Sequence, residues 1–222
     1  MAKVNNKLGW QVHKHLVEKG VETPAFFGFN NAAITNPDNI DSTQSHVAGM
    51  MNNLGLDLTD DSLAETPHRI AKMWHQEIAK GLDYNEFPNC MEVENKFGYD
   101  ELICVKDIEI KSLCEHHWQP IAGYAHIAYL PSNKVIGLSK LARVADFFSR
   151  RPQVQERLTL QIAYALQYVL DTPTVAVYID AEHFCMKMRG VEEPCSTTAT
   201  SYMGGEFRSN PSLKQEFFNT VK

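Results

Sequence analysis

Two short clusters of metal-ligand residues constrain this chain more than any other feature. Leu113-Cys114-Glu115-His116-His117-Trp118 sets a thiol and two imidazoles side by side, and Glu182-His183-Phe184-Cys185 follows far along the chain. Cys and His are zinc-ligand types, so a fold that brings both segments to one ion must turn the intervening chain back on itself. The C-x-x-H spacing of Cys114 and His117 lets a turn aim both at one ion. Adjacent side chains diverge, so His116 and His117 do not share a metal. One is a ligand and the other a proton donor or acceptor, and the spacing does not say which. Cys114, one of these histidines and Cys185 make three ligands, the count of a catalytic zinc with its fourth position left for water. Zinc lowers the pKa of such a water toward about 7. The competing arrangement is a closed structural site with Cys195, Cys104 or His183 as the fourth ligand.

The bulk properties agree with a reduced, metal-binding globular protein. At 222 residues the chain suits one domain, or one domain with a helical appendage. Five scattered cysteines form no disulfide framework, which leaves Cys114 and Cys185 free for metal. A net charge of −6 argues against a general nucleic-acid binder, so any anionic ligand must meet a local basic patch. No apolar run approaches the roughly 18 residues of a membrane span. Met1 to Lys7 has no apolar signal core behind it, and the expected location is cytoplasmic.

Periodicity predicts the elements. Lys7 to Lys19 has helical spacing, Val21 to Ile40 reads as irregular, and a helix begins near Ser42. The stripe Val47, Met50, Met51 and Leu54 on that helix is expected in the core or at a subunit contact. Thr66 reads as an N-cap and Pro67 as the first residue of a helix that buries Ile70, Met73, Trp74 and Ile78. Strands are expected over Glu101–Lys111, Trp118–Leu130, Thr174–Cys185 and Cys195–Met203. Helices are expected from Leu138 to Arg150, from Pro152 onward, and from Pro211 to Val221. The first of these turns Leu138, Leu141, Ala142, Ala145 and Phe148 inward. In the third strand Val175, Val177, Ile179, Ala181, His183 and Cys185 share one face, since side chains alternate. The order β-β-α-α-β-β behind an all-helical third indicates α+β. The division is a helical region at 1–95, with a variable arm to about residue 40, and a sheet domain at 96–222.

Basic residues gather where an anion could sit. Gly137-Leu138-Ser139-Lys140-Leu141-Ala142-Arg143 opens a helix, so N–H groups, a hydroxyl, Lys140 and Arg143 can converge on a phosphate. Lys187 and Arg189 follow Cys185, and Arg69 and Lys72 lie on the exposed side of the Pro67 helix. The bland reading of Arg69 and Lys72 is a solvated pair. A polyphosphate-bearing substrate fits such a concentration on an acidic chain. Gln155 and Glu156 stand beside the apolar stripe of the next helix. A carboxylate there can accept the N1–H and exocyclic amine of guanine, although a helix-start carboxylate is also favoured by the dipole alone.

Together, Glu65-Thr66-Pro67-His68-Arg69, Cys114-Glu115-His116-His117, Gly137-Leu138-Ser139-Lys140, Arg151-Pro152-Gln153-Val154-Gln155-Glu156-Arg157-Leu158 and His183-Phe184-Cys185 resemble GTP cyclohydrolase I. The likeness runs in order from about residue 45 to 207. It implies a zinc-dependent hydrolase that converts GTP and water to formate and 7,8-dihydroneopterin triphosphate, the first step of tetrahydrofolate and pterin biosynthesis. It also implies that Cys114, His117 and Cys185 bind Zn2+, with His116 and His183 as the acid/base pair. On this pattern an activated water attacks C8 of guanine while His183 protonates N7. Gln155 and Glu156 hold the guanine, Ser139, Lys140, Arg143 and Arg189 the ribose triphosphate, and Arg69 and Lys72 reach in from a neighbouring subunit. The family's tunnelling fold, an antiparallel sheet backed by two helices, matches the predicted order. A homodecamer with interface sites is implied by the resemblance alone.

Two rivals remain at this level. A nucleobase deaminase needs His-x-Glu followed by Cys-x-x-Cys, and the chain contains no Cys-x-x-Cys. A tunnelling-fold protein that binds a purine or pterin around a structural zinc, without turnover, differs in giving no formate.

Overall fold

The computed structural model describes residues 4–25, 34 and 36–222. Among the described residues, helices α1 (Asn6–Glu18), α2 (Pro37–Asn53) and α3 (Thr66–Met73), followed by short helical turns from Trp74 to Glu86, come before the first strand. There follow β1 (Glu92–Glu94), β2 (Ile103–Cys114), β3 (Pro120–Tyr129), β4 (Lys134–Ile136), α4 (Leu138–Ser149), β5 (Pro152–Gln153) and α5 (Gln155–Leu170). The chain ends in β6 (Val175–His183), α6 (Phe184–Lys187), β7 (Thr198–Met203), α7 (Glu206–Ser209) and α8 (Pro211–Val221).

The main sheet has the order β5-β2-β3-β6-β7, and β1 pairs with β4 apart from it. Four of its strands are antiparallel neighbours, as the sequence predicts. β5 runs parallel to β2 through Leu113↔Pro152 and Cys114↔Gln153, so the sheet is mixed. Helices α4 and α5 cover one face. There Ile110, Ile121, Ala125, Ile127, Val177 and Ile179 are buried against Leu141, Phe148, Leu158, Ile162 and Leu166. Helix α1 adds Val12 and Leu16 to the same core. On the opposite face Phe207, Leu213 and Phe217 pack over Ala128 and Ala176. Tyr124, nearer the other end of that face, is exposed.

Several expectations shift for physical reasons. β2 continues past Lys111 to Cys114 because β3 pairs with it as far as Leu113 and β5 pairs with Leu113 and Cys114. Its early alternation is broken by a register shift between Val105 and Ile108, where Asp107 takes φ 55°. α5 begins at Gln155 rather than Pro152, since Pro152 and Gln153 are held extended in the sheet. β6 ends at His183, and Cys185 sits in the helical turn α6, so the shared face does not extend to Cys185. β7 begins at Thr198, not Cys195. The irregular stretch ends early, at Asn36, whose side chain caps α2 at Asp38 N. Residues 26–33 and 35 of that stretch lie outside the described residues.

On α2 the stripe divides: Met51 is buried, while Met50 and Leu54 are 55% and 71% exposed. The core half of that expectation therefore applies to Met51 alone. Thr66 is already helical and Pro67 is its second residue, with no side-chain cap. The stripe predicted for that helix is not buried: Met73 is exposed and Ile70, Trp74 and Ile78 are half-buried, while α3 buries Pro67 and Ala71 instead. Leu138, the first residue of α4, also lies outside the core.

Candidate metal and nucleotide site

The end of the sheet brings the two clusters together. Cys114 is the last residue of β2, and β3 beside it pairs Ile121 with His183, the last residue of β6. The chain between β2 and β3 closes as a tight turn. Cys114 N–H donates to Gln119 O at 2.8 Å, and Trp118 N–H to Cys114 O at 2.8 Å. Trp118 adopts φ 54°, which a bulky side chain rarely does. Its ring stacks on Trp74, centroid to centroid 4.5 Å.

The turn aims His117 at Cys114 and at Cys185 of α6: one ligand atom from each lies within 4.8 Å of the others. No other group of three or more His, Cys, Asp or Glu among the described residues converges in this way. Two soft sulfurs and an imidazole at that spacing are the donor set and reach of a zinc site, with Zn–S about 2.3 Å and Zn–N about 2.0 Å. Burial, and the Cys114 sulfur facing it, push the Cys185 thiol up. Facing sulfurs of this kind lose their protons to a bound cation, so these residues fit the group. His116 stands apart from the trio. Its Nδ1 lies 3.9 Å from Cys114 Sγ, and its ring centroid 6.4 Å from that of His117.

His183 is set from behind by Gln155. The Gln155 Nε2 donates to Ile179 O at 3.2 Å, Thr198 O at 2.7 Å and Thr200 Oγ1 at 3.1 Å. Carbonyls only accept, so this amide cannot turn over, and Oε1 faces His183 Nε2 at 2.7 Å. His183 therefore donates Nε2–H, and its Nδ1 is left for proton exchange. Burial lowers the His183 pKa, with the nearby Glu156 carboxylate opposing. With its side chain committed, Gln155 has its main-chain N–H to offer a ligand, in the first turn of α5, where N–H groups lack helical acceptors. Glu156 is exposed beside it.

The basic residues are distributed more widely. Arg189 lies near enough to Cys185 to pull its pKa down. Lys187 is paired with Glu182 at 2.8 Å. Ser139, Lys140 and Arg143 lie on α4, and the last two act electrostatically on Cys90. Arg69 and Lys72 are exposed on α3, a helix packed on α2.

The polar residues that periodicity passed over are Arg151, Gln153 and Arg157. Arg151, fully buried, bonds Gly81 O, Tyr84 Oη and Glu22, with its guanidinium about 5 Å from the Phe147 and Phe148 rings. Arg151, Gln153 and Gln155 are buried at every second position, the pattern of an extended segment, and that alternation is the signal that points to them.

A sheet backed by two helices, with a Cys-His-Cys trio that could hold a metal ion and a half-buried His-Gln pair at its end, defines an α+β protein with a candidate metal site. The family model for GTP cyclohydrolase I matches residues 43–222. The protein named GTP cyclohydrolase 1 of Aeromonas salmonicida is 50% identical over 211 residues, 95% of each chain. Those of Shewanella amazonensis and Serratia proteamaculans are 48% and 49% identical over 94% and 95% of this chain. This chain belongs to the GTP cyclohydrolase I family. A crystal structure of an archaeosine synthase QueF-Like protein aligns with 46% of the chain and 90% of its own, at 14% identity and a TM-score of 0.38.

Proposed function

We propose that this chain carries out its family's reaction, GTP and water to formate and 7,8-dihydroneopterin triphosphate, at the Cys114–His117–Cys185 trio. The observation that carries the reading is the convergence of that trio from two distant segments. Zinc held there supplies an activated water at neutral pH. His183, with Nε2–H committed to Gln155, exchanges a proton through Nδ1 with guanine N7 as the imidazole ring opens. His116, exposed beside the Cys114 sulfur, is the second proton-transfer group. Glu156 accepts from guanine N1–H and the exocyclic amine, and the Gln155 main-chain N–H donates to the guanine oxygen. Arg189, Ser139, Lys140 and Arg143 hold the triphosphate.

Arg69 and Lys72 belong to a site completed by a neighbouring subunit in a homo-oligomer, on the family pattern a decamer. The exposed Met50 and Leu54 of α2 and the open sheet face around Tyr124 support such assembly. The fold is read as the tunnelling fold, with 96–222 as the catalytic domain and 1–95 as the helical region. A cytoplasmic location is part of this reading; among the described residues no helix is long and apolar enough to cross a membrane.

Paired substitutions test the roles. His117→Ala should lose zinc, while His116→Ala should keep it and lose turnover by about 10²-fold or more. Equal zinc loss in both would refute the division between ligand and proton-transfer residue.

A further inference from the structure

We propose that Arg157 is a positioning residue for the metal loop: it grips Glu115 and so holds Cys114 and His117 in ligating arrangement before the ion arrives. The proposal rests on the zinc reading above. The loop needs an outside hold. Its internal closure is two backbone bonds, it contains Trp118 at positive φ, and His116, His117 and Trp118 are all exposed. Glu115, between the two ligands, is hydrogen-bonded to the body of the protein twice. Its N–H donates to Gln153 O at 3.0 Å, and its carboxylate accepts from Arg157 Nη2. The side chains of this ion pair are only 14% and 26% exposed, so solvent screens it less than a surface pair.

The guanidinium is itself fixed before it meets Glu115. Arg157 Nε donates to Gln153 Oε1 at 3.0 Å, and Nη2 also reaches Pro152 O at 3.3 Å. Gln153 is fully buried, and its Nε2 donates to Phe148 O at 2.9 Å and Gln161 Oε1 at 2.7 Å. Gln161 Nε2 donates in turn to Val21 O at 2.9 Å and Thr23 Oγ1 at 3.2 Å. An unbroken line of hydrogen bonds thus runs from the segment after α1, through the start of α5, to the residue between the ligands. Among the described residues, the hydrogen-bond partners of the Arg157 side chain are Gln153, Pro152 and Glu115, none of them a ligand. Arg157 acts through Glu115, and partners one step outside a metal's ligands commonly change its affinity about 10–100-fold.

The test is zinc affinity by competition with a chromophoric chelator, together with the cobalt(II) absorption spectrum and melting with and without zinc. The proteins are the unaltered chain, Arg157→Lys, Arg157→Gln, Glu115→Ala and the double variant Arg157→Gln/Glu115→Ala. Arg157→Gln and Glu115→Ala should each weaken zinc binding about 10–100-fold and shift the cobalt bands. The double variant should be no weaker than either single one, because both remove the same contact. Arg157→Lys, which keeps the charge and loses the fork, should fall between. Unchanged affinity and cobalt bands in Arg157→Gln would overturn the proposal. So would losses that multiply in the double variant, or a zinc-induced rise in melting temperature equal to that of the unaltered chain. If Arg157→Gln does not fold, Arg157→Lys and Glu115→Ala decide by the same criteria. An unaltered chain that binds no zinc would instead bring down the metal reading itself.

Discussion

Gln155 has one side-chain amide and four partners for it. Ile179, Thr198 and Thr200 take its N–H groups, and His183 gives a proton to its oxygen. Gln155→Leu would leave those carbonyls and the His183 N–H without partners in a buried place, costing about 1–3 kcal/mol. It should also lower kcat by about 10²-fold with zinc content unchanged, measured as formate released in a single turnover. A kcat within threefold of the unaltered enzyme would show that His183 needs no such support. The sequence sets Arg151, Gln153 and Gln155 at alternate positions, but a helix reading of Pro152 onward hides that spacing, and polar residues so spaced are expected at the surface rather than buried as they are. Cys185 is the reverse case. Strand alternation assigned it to the His183 face, and a helical turn brings it to Cys114 by another route.

At the scale of elements, long periodic segments were readable and short paired ones were not. α1, α4, β3 and the body of α5 follow apolar spacing closely. β1, β4 and β5 have two or three residues each, too few for any period to show, and exist through their partners across the sheet. Yet β5 decides the site: it extends β2 to Cys114 and delays α5 until Gln155. The end of α5 offers a local test. Asp171 closes that helix in the left-handed conformation at φ 52°, which glycine adopts without strain. Asp171→Gly should raise stability by up to about 1 kcal/mol, read from the urea midpoint. A lower midpoint would mean that the Asp side chain contributes more than its backbone costs.

For the whole molecule, the N-terminal segment is tied to the core by charge as well as by Val12 and Leu16. Arg151 and Glu22 form an ion pair that is nearly solvent-free. Glu22→Ala would strand the buried guanidinium and should destabilise the chain by about 3–5 kcal/mol, measured by denaturant unfolding. Acid should weaken the fold for a related reason. Burial is the main cause lowering the pKa of both His13 and His126 below the ordinary value of 6.5. As pH falls through that value the unfolded chain takes up these protons before the folded one does, so stability is present above about pH 6.5 and declines below it. Urea midpoints at pH 7.5 and 5.5 check this, and equal midpoints would contradict it. The α2 stripe marks an apolar surface in the sequence, but periodicity does not separate core from contact, and only the structure shows that Met51 is buried while Met50 and Leu54 lie outside. The proposed function makes this chain a zinc-dependent enzyme acting at the Cys114–His117–Cys185 trio. The measurement that meets it most directly is formate release from GTP by protein of known zinc content, beside Cys185→Ser. The unaltered chain should hold zinc and release formate in step with a fluorescent pterin product, and Cys185→Ser should lose both metal and formate. Zinc-loaded protein that yields neither product, or a Cys185→Ser variant that turns over GTP as before, would contradict it.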